Sequence, residues 1–265
     1  LHLSIRRQRQ MCIRDSYSSG EHVTFFEAAT PVKPWVRSQR KAASDRITHE
    51  HLLASSAIPF IFPAKGIEVD DHIEYFGDGS MRQSAPIAPA IHLGAERILV
   101  IGAGRMHEPK GDAAANPTAT HPTLAQIAGH ALSNIFLDAL AVDVERVQRI
   151  NQTLSLIPEE KRLHSALRPI ELLVIAPSQR LDAVAARHVG DLPGPVRTML
   201  GALGVTSNMA DVRGAALASY LLFESGYTQE LMALGRADTL AMRAEVCQFF
   251  GWTDTGAEVQ MRHHP

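Results

Sequence analysis

The sequence predicts an α/β fold, and three observations carry that reading. β-rich apolar runs stand at residues 22–26 (HVTFF), 97–102 (RILVIG) and 170–176 (IELLVIA). Stretches with near-helical spacing separate and follow them, the longest spanning residues 123–154. Asp78 is clamped between Gly77 and Gly79 where a short alternating strand, residues 72–76, gives way to a segment that can run as a helix from Ser84 to Leu93. In open α/β folds, catalytic and ligand-binding groups sit at that end of a strand. Asp78 is therefore the candidate functional residue. The plainer reading is that Asp78-Gly79 is a turn, since both residue types tolerate positive φ. A hairpin turn fits poorly, because the next segment reads as a helix and not as a returning strand.

Composition narrows the class. With 265 residues, 45% hydrophobic and 20% charged, the chain is long and apolar enough for a substantial core. A formal net charge of -2, with no basic stripe beyond the first residues, leaves no electrostatic footprint for nucleic acid. No apolar run approaches the roughly 20 residues that span a bilayer. Cys12 and Cys247 are placed for neither a disulfide framework nor a metal site.

Taken in order, residues 1–16 do not read as the start of a domain. Arg6, Arg7, Arg9 and Arg14 crowd a segment without an amphipathic stripe, and RQRQMCIRDS resembles a translated sequencing adaptor. These residues are read as a non-native leader and left out of the fold; a basic arm for an acidic partner is the other reading. Tyr17–Gly20 should be a hairpin tip whose first strand lies upstream and has been lost. Pro31 and Pro34 mark a loop packed down by Trp35. Thr48 caps a helix over residues 49–54, with Glu50 near its positive end. His49 and His51 are two apart and point in different directions, which does not suit the zinc-protease pattern of two His four apart.

Gly94 stops the helix before strand 97–102. Gly102-Ala103-Gly104 looks briefly like a dinucleotide fingerprint, but His107 stands at the third glycine position and no helix opens to receive a pyrophosphate. Residues 107–122 read as a surface loop. The remainder reads as helices over residues 193–203, 210–225 (stopped by Gly226), 228–235 (capped by Thr228, ended by Gly235) and 237–250 (closed by Gly251). Residues 254–265 read as a tail without packing.

Two strings, ASSAIPFIFP (54–63) and YFGDGSMRQSAPIAPAIHLGAERILVIG (75–102), closely resemble bacterial patatin-like phospholipases. The resemblance runs from Tyr17 to about Trp252 and includes YSSGEHVTFFE, the helix after HPTLAQIAG and the run ASYLLFESGYTQELMALGRAD. It implies a three-layer α/β/α fold, N-terminally truncated here, with residues 17–253 forming the C-terminal part of a patatin-like domain and its helical C-terminal region. It also implies hydrolysis of a lipid ester by a Ser–Asp dyad, with no cofactor and no metal. The family's acid lies in an Asp-Gly-Gly or Asp-Gly-Ala motif, matched by Asp78-Gly79-Ser80 except in the third position, where Ser80 is a small-for-small departure, so Asp78 is expected as general base with Gly77 and Gly79 shaping its turn. The family's G-x-S-x-G nucleophile elbow and Gly-rich oxyanion loop do not occur in the sequence. Ser16-Tyr17-Ser18-Ser19-Gly20 lacks the first glycine, and Ser18 reads as hairpin polarity.

The expectation is a chain that carries the base half of an active site and is inactive, or nearly so, alone. The expected partners are a lipid ester substrate and a membrane surface, without nucleic acid, at a cytoplasmic or peripheral membrane location. A non-catalytic patatin-like protein that binds lipid or protein is the alternative. Ser55, Ser56 and residues 58–62 are read as core packing ahead of an acyl-pocket border.

Overall fold

The computed structural model describes residues 9–28, 31–37, 40–59, 61–69, 71–79, 87–104, 106, 124–162, 164–165, 167–203, 205, 212–254 and 259–261. The chain is mixed α/β and divides into two compact units, residues 1–95 and 96–265.

In the first unit a six-stranded sheet has the order β3-β4-β2-β1-β6-β5. Its strands are β1 (Arg9–Ser16), β2 (His22–Ala28), β3 (Val36–Arg37), β4 (Arg40–Ser44), β5 (Lys65–Val69) and β6 (His72–Asp78). Only β2 and β4 run parallel; the other neighbours are antiparallel. Helix α1 (His49–Ser55) covers one face, where Ala54 joins Val23, Phe25, Ile67 and Phe76. On the other face, Leu93 at the end of α2 (Ile87–His92) joins Phe26 and Ala42, and Trp35 stacks between Phe26 and His92. Trp35 thus pins its Pro-flanked loop, as its sequence setting implied. Ala42 and Ala43 divide between the two faces, the period-2 alternation of a strand buried on both sides.

Residues 9–16, left out of the fold in the sequence reading, are part of the sheet. They form β1, paired with β2 from Arg9↔Ala28 to Asp15↔His22 and with β6 from Arg14↔Asp78 to Ser16↔Phe76. The first strand of the Tyr17 hairpin is therefore present. Ser16 and Glu21 close the tip backbone to backbone, and Gly20 supplies the positive φ that the turn needs. Helical periodicity could not show this strand, because its side-chain period is two. Cys12, Arg14 and Ser16 face one way and Met11, Ile13 and Asp15 the other.

That alternation buries Arg14 completely, on the apolar face under α1. Its Nε donates to the His51 carbonyl at 2.9 Å, and the guanidinium lies 4.5 Å from the centroid of the Phe25 ring. Both terminal nitrogens are buried without a partner. Burial lowers the Arg14 pKa from 12.5 to about 10, so the group remains a cation at neutral pH.

In the second unit, β7 (Arg97–Ile101) and β8 (Glu171–Ile175) pair in parallel, joined through the 32-residue helix α3 (Leu124–Ser155). Asn151 of α3 clasps the start of β8, its side chain both donating to and accepting from the Ile170 backbone at 2.7 and 2.9 Å. The second half of α3 buries Leu140, Val144, Val147 and Leu154. β7 is less buried than its sequence implied: Ile98 is inside, whereas Ile101 is 77% exposed.

Among the described residues six more α-helices follow: α4 (Glu159–Arg162), α5 (Leu181–His188), α6 (Gly194–Ala202), α7 (Val212–Ser219), α8 (Ser225–Ala241) and α9 (Arg243–Phe250). Helix α8 runs through Gly226 and Gly235, neither of which breaks it, and the Thr228 hydroxyl donates back to the Glu224 carbonyl inside the helix instead of capping it. Gly251 does end α9, in the left-handed region. Residues 259–261, expected in an unpacked tail, form β10 (Val259–Met261) against β9 (Trp252–Asp254). The expected loop at 107–122 lies outside the described residues, as do Ser80 and Ser84.

A buried cation with two unmet donors is worse than an apolar group of similar size. Replacing buried ion pairs by apolar residues of similar volume is often neutral or stabilising by about 1–4 kcal/mol; at Arg14 the gain is offset by one lost hydrogen bond, one cation–π contact and the space a shorter side chain leaves. Arg14→Leu is expected to raise the melting temperature by roughly 2–8 °C, read by circular dichroism. A lower melting temperature would show that the guanidinium is well accommodated.

Candidate functional site

Asp78 is the last residue of β6, half-buried, and its N–H donates to the Ala57 carbonyl at 3.0 Å. This single bond joins the two strings that carried the family resemblance. Ala57 belongs to the segment leaving α1, and Asp78 to the strand that ends beside it. The Ser55 hydroxyl donates to the Ile13 carbonyl at 3.0 Å and the Ser56 hydroxyl to the Leu52 carbonyl at 3.1 Å, so both are occupied in holding α1.

The glycines around Asp78 have a different role from the one expected. The strand does not break at Gly77 but continues through Asp78, and neither Gly77 nor Gly79 has positive φ. A Cβ at either would come into close contact, with a movable side chain at Gly77 and with backbone at Gly79. At Gly77 a Cβ would meet the Tyr17 ring, 2.6 Å from Cζ and 2.8 Å from Cε2. At Gly79 it would meet the backbone of β1, 2.7 Å from the Arg14 nitrogen and the Ile13 carbonyl carbon. The acid is thus flanked by two points of close approach that limit drift of the strand end.

Tyr17 does not stand out in the sequence as a site residue, yet it lies at this site. Its N–H donates to the Tyr75 carbonyl at 2.8 Å, and the Tyr75 N–H donates to the Ser18 hydroxyl at 3.0 Å. Burial raises the Tyr17 pKa first, with the Asp15 and Asp78 carboxylates adding to it. The phenol therefore keeps its proton at neutral pH and can only be a neutral neighbour of Asp78. Ser18, accepting a strand-end amide, is the polar hairpin residue its setting implied.

A second polar cluster is also invisible in the sequence. The Ser16 hydroxyl donates to Glu74 Oε2 at 2.7 Å and accepts the Ser19 N–H at 3.0 Å. His72 Nε2 lies 3.3 Å from Glu74 Oε1. Ser16 and Glu74 are both buried, as is the neighbouring Asp15–His22 pair at 2.7 Å. Ser16–Glu74 is a serine–carboxylate contact, but its chemistry is wrong for a dyad. The Ser16 hydrogen bond, against the cost of burial, lowers the Glu74 pKa, and a carboxylate held that way is a weak base. Ser16 is also closed off from any substrate. Residues 58 apart in sequence offer no spacing signal that reasoning on the chain alone could have used.

The other sequence candidates have structural positions of their own. His49 is exposed while His51 is buried, its ring meeting Thr48 and packing edge-on against Phe25, so the two imidazoles do point apart. Gly102 extends the β7–β8 ladder by donating to the Ile175 carbonyl at 2.8 Å. Among the described residues no group of three or more His, Cys, Asp or Glu is arranged for a metal ion. No protein-family model matches the chain, and no curated protein matches it.

The two glycines yield a paired prediction. Gly77→Ala should destabilise by less than the about 1–3 kcal/mol of core overpacking, because the Tyr17 ring it meets is exposed and can swing aside, and Tyr17→Ala in the same chain should recover what loss remains. Gly79→Ala meets backbone, so no side-chain truncation should relieve it. Urea unfolding of the single and double variants measures both, and equal rescue of the two would show that the contacts are not those described.

Proposed function

We propose that this chain is the base-bearing part of a patatin-like serine acyl hydrolase with a three-layer α/β/α domain. Asp78 is its general base, and the nucleophilic serine and oxyanion loop come from sequence outside these 265 residues. The observation that supports this best is the Asp78 N–H···O=C Ala57 bond, which fixes the main chain of a half-buried aspartate at a strand end, next to a glycine, Gly79, that the backbone of β1 closes to any side chain. A serine hydroxyl attacks an ester only when a positioned base accepts its proton. In this reading Asp78 takes that proton as Oγ bonds to the ester carbonyl carbon, then returns it to the departing alcohol. A water, deprotonated by the same carboxylate, hydrolyses the acyl-enzyme and releases the fatty acid.

The substrate is a lipid ester at a membrane surface, which places the protein in the cytoplasm or peripherally on a membrane. Among the described residues no helix is long and apolar enough to cross a bilayer. No metal and no cofactor enter the scheme. The absence of any G-x-S-x-G string from the chain favours one rival, a patatin-like protein that binds lipid or protein without catalysis.

The chain alone is expected to show no hydrolysis of p-nitrophenyl butyrate above background. In a longer product of the same gene that carries an in-frame G-x-S-x-G, Asp78→Asn should lower kcat by about 10²–10⁴-fold. Unchanged kcat in that variant removes Asp78 from the base role, and an upstream frame without the serine leaves the binding reading.

A further inference from the structure

The second unit contains a charged cluster that plays no part in the hydrolase reading. His188 ends α5, and a 3-10 turn, Val189–Asp191, follows it directly. Its Nδ1 lies 2.8 Å from Asp191 Oδ2, and its Nε2 lies 2.7 Å from Glu230 Oε2 in the second turn of α8. The side chain is only 17% exposed. Tyr227 of α8, itself buried, packs edge-on against the ring at 5.9 Å. Gly226 leaves the space for this seat, since a Cβ there would lie 3.2 Å from Nδ1 and 3.3 Å from Asp191 Oδ2.

We propose that His188 is a pH-sensitive clasp that fastens the first turns of α8 to the end of α5, closed when the imidazole is protonated and loosened when it is neutral. Both ring nitrogens face carboxylate oxygens. Imidazolium can donate at both, whereas neutral imidazole carries one N–H and must turn a lone pair toward one of the two carboxylates. Loss of the proton therefore removes one bond of the clasp and replaces it with a repulsive contact.

The other charged groups around the ring set how far the clasp opens. From the 3-10 turn there is Asp191. From α8 there are Glu230 and the neutral phenol of Tyr227, whose pKa is raised by burial and by Asp182. From α5 there is Arg187, which pairs with Glu230 through the other carboxylate oxygen, and Asp182, which is held by Arg180. Arg187 does not titrate in this range, so α8 stays tethered by that pair when His188 is neutral. The opening is local.

The signs agree. The hydrogen bonds that the imidazolium donates to Asp191 and then to Glu230 raise the His188 pKa above its ordinary 6.5. Its contribution is therefore complete below 6.5 and disappears as pH rises through the higher folded value. Arg187 and then His188 lower the Glu230 pKa from 4.5, so that carboxylate's contribution is complete above 4.5 and disappears only as pH falls through the lower folded value. The clasp is tightest between these limits, in mildly acidic solution, and loosens as pH rises through the raised His188 value.

Hydrogen exchange of the full chain tests this through peptides covering residues 223–230, from about pH 5.5 to about pH 9, after correction for intrinsic exchange. Local opening should increase by up to about tenfold for each pH unit by which His188 is raised, while residues 143–154 of α3 stay unchanged. In His188→Gln, which donates through one end only, the pH response should vanish and the opening should remain at its alkaline level. Imidazole NMR on the wild type supplies a reading that does not depend on any variant folding. A His188 pKa above 6.5 that falls in Glu230→Gln supports the clasp. A His188 pKa at or below 6.5, or the same pH response in wild type and His188→Gln, overturns it.

Discussion

The backbone ladder between β1 and its two neighbours is the constraint on which the first unit depends. Among the described residues β1 is the only strand that pairs with both β2 and β6, so without it the sheet separates into β3-β4-β2 and β6-β5. The ladder also sets the site. The register Arg14↔Asp78 and Asp15↔Gly77 brings the Tyr17 hairpin tip beside the end of β6, and the approach of β1 to Gly79 fixes how closely. Main-chain hydrogen bonds carry this arrangement even where side chains oppose it. Arg14 is a poor core residue, yet its strand position is dictated by amides that do not depend on side-chain identity.

The range of the interactions involved decides how much of the fold is legible in the sequence. Local rules find β2, the His72 strand and its acid, α1 with Thr48 at its start, α3 almost to the residue, β7, β8 and the Gly251 helix stop. Each of these can be read in windows of fewer than about 20 residues. Two kinds of error remain. The glycines of α8 read as stops because glycine lowers helix propensity by about 1 kcal/mol. Tertiary contacts exceed that, and at Gly226 the missing side chain is itself what lets His188 and Asp191 close in. β1 escapes such reading because its composition speaks against a strand, while its partners in β6 lie far along the chain and leave no mark on the segment itself.

The candidate site is legible in one residue and not in its surroundings. Asp78 stands out because a carboxylate between two glycines is unusual at a strand end. Local rules give the wrong reason for those glycines, since they associate glycine with positive φ, and a lack of space needs a partner to be known. Tyr17 and the backbone of β1 are those partners, and neither is adjacent in sequence. The same limit applies to Ser16 and Glu74, which meet only because Ser16 pairs opposite Phe76 and Glu74 lies two residues before it on the same face.

Three carboxylates, Asp15, Glu74 and Asp78, gather at this end of the sheet, and their surroundings separate structural acids from a potential base. Asp15 is committed to His22 at 2.7 Å and buried beside it. Glu74 accepts from Ser16, with Ser19 and His72 at its other contacts, and those donors hold it ionised. A carboxylate so well satisfied gains little by taking another proton, which is what a general base must do. Asp78 is positioned through its main chain: its amide is anchored to Ala57, and Gly77 and Gly79 lock the backbone on either side of it. A serine 2.7 Å from a glutamate is therefore weak support for a dyad, because the hydrogen bond that brings the two together also makes the carboxylate a poorer base.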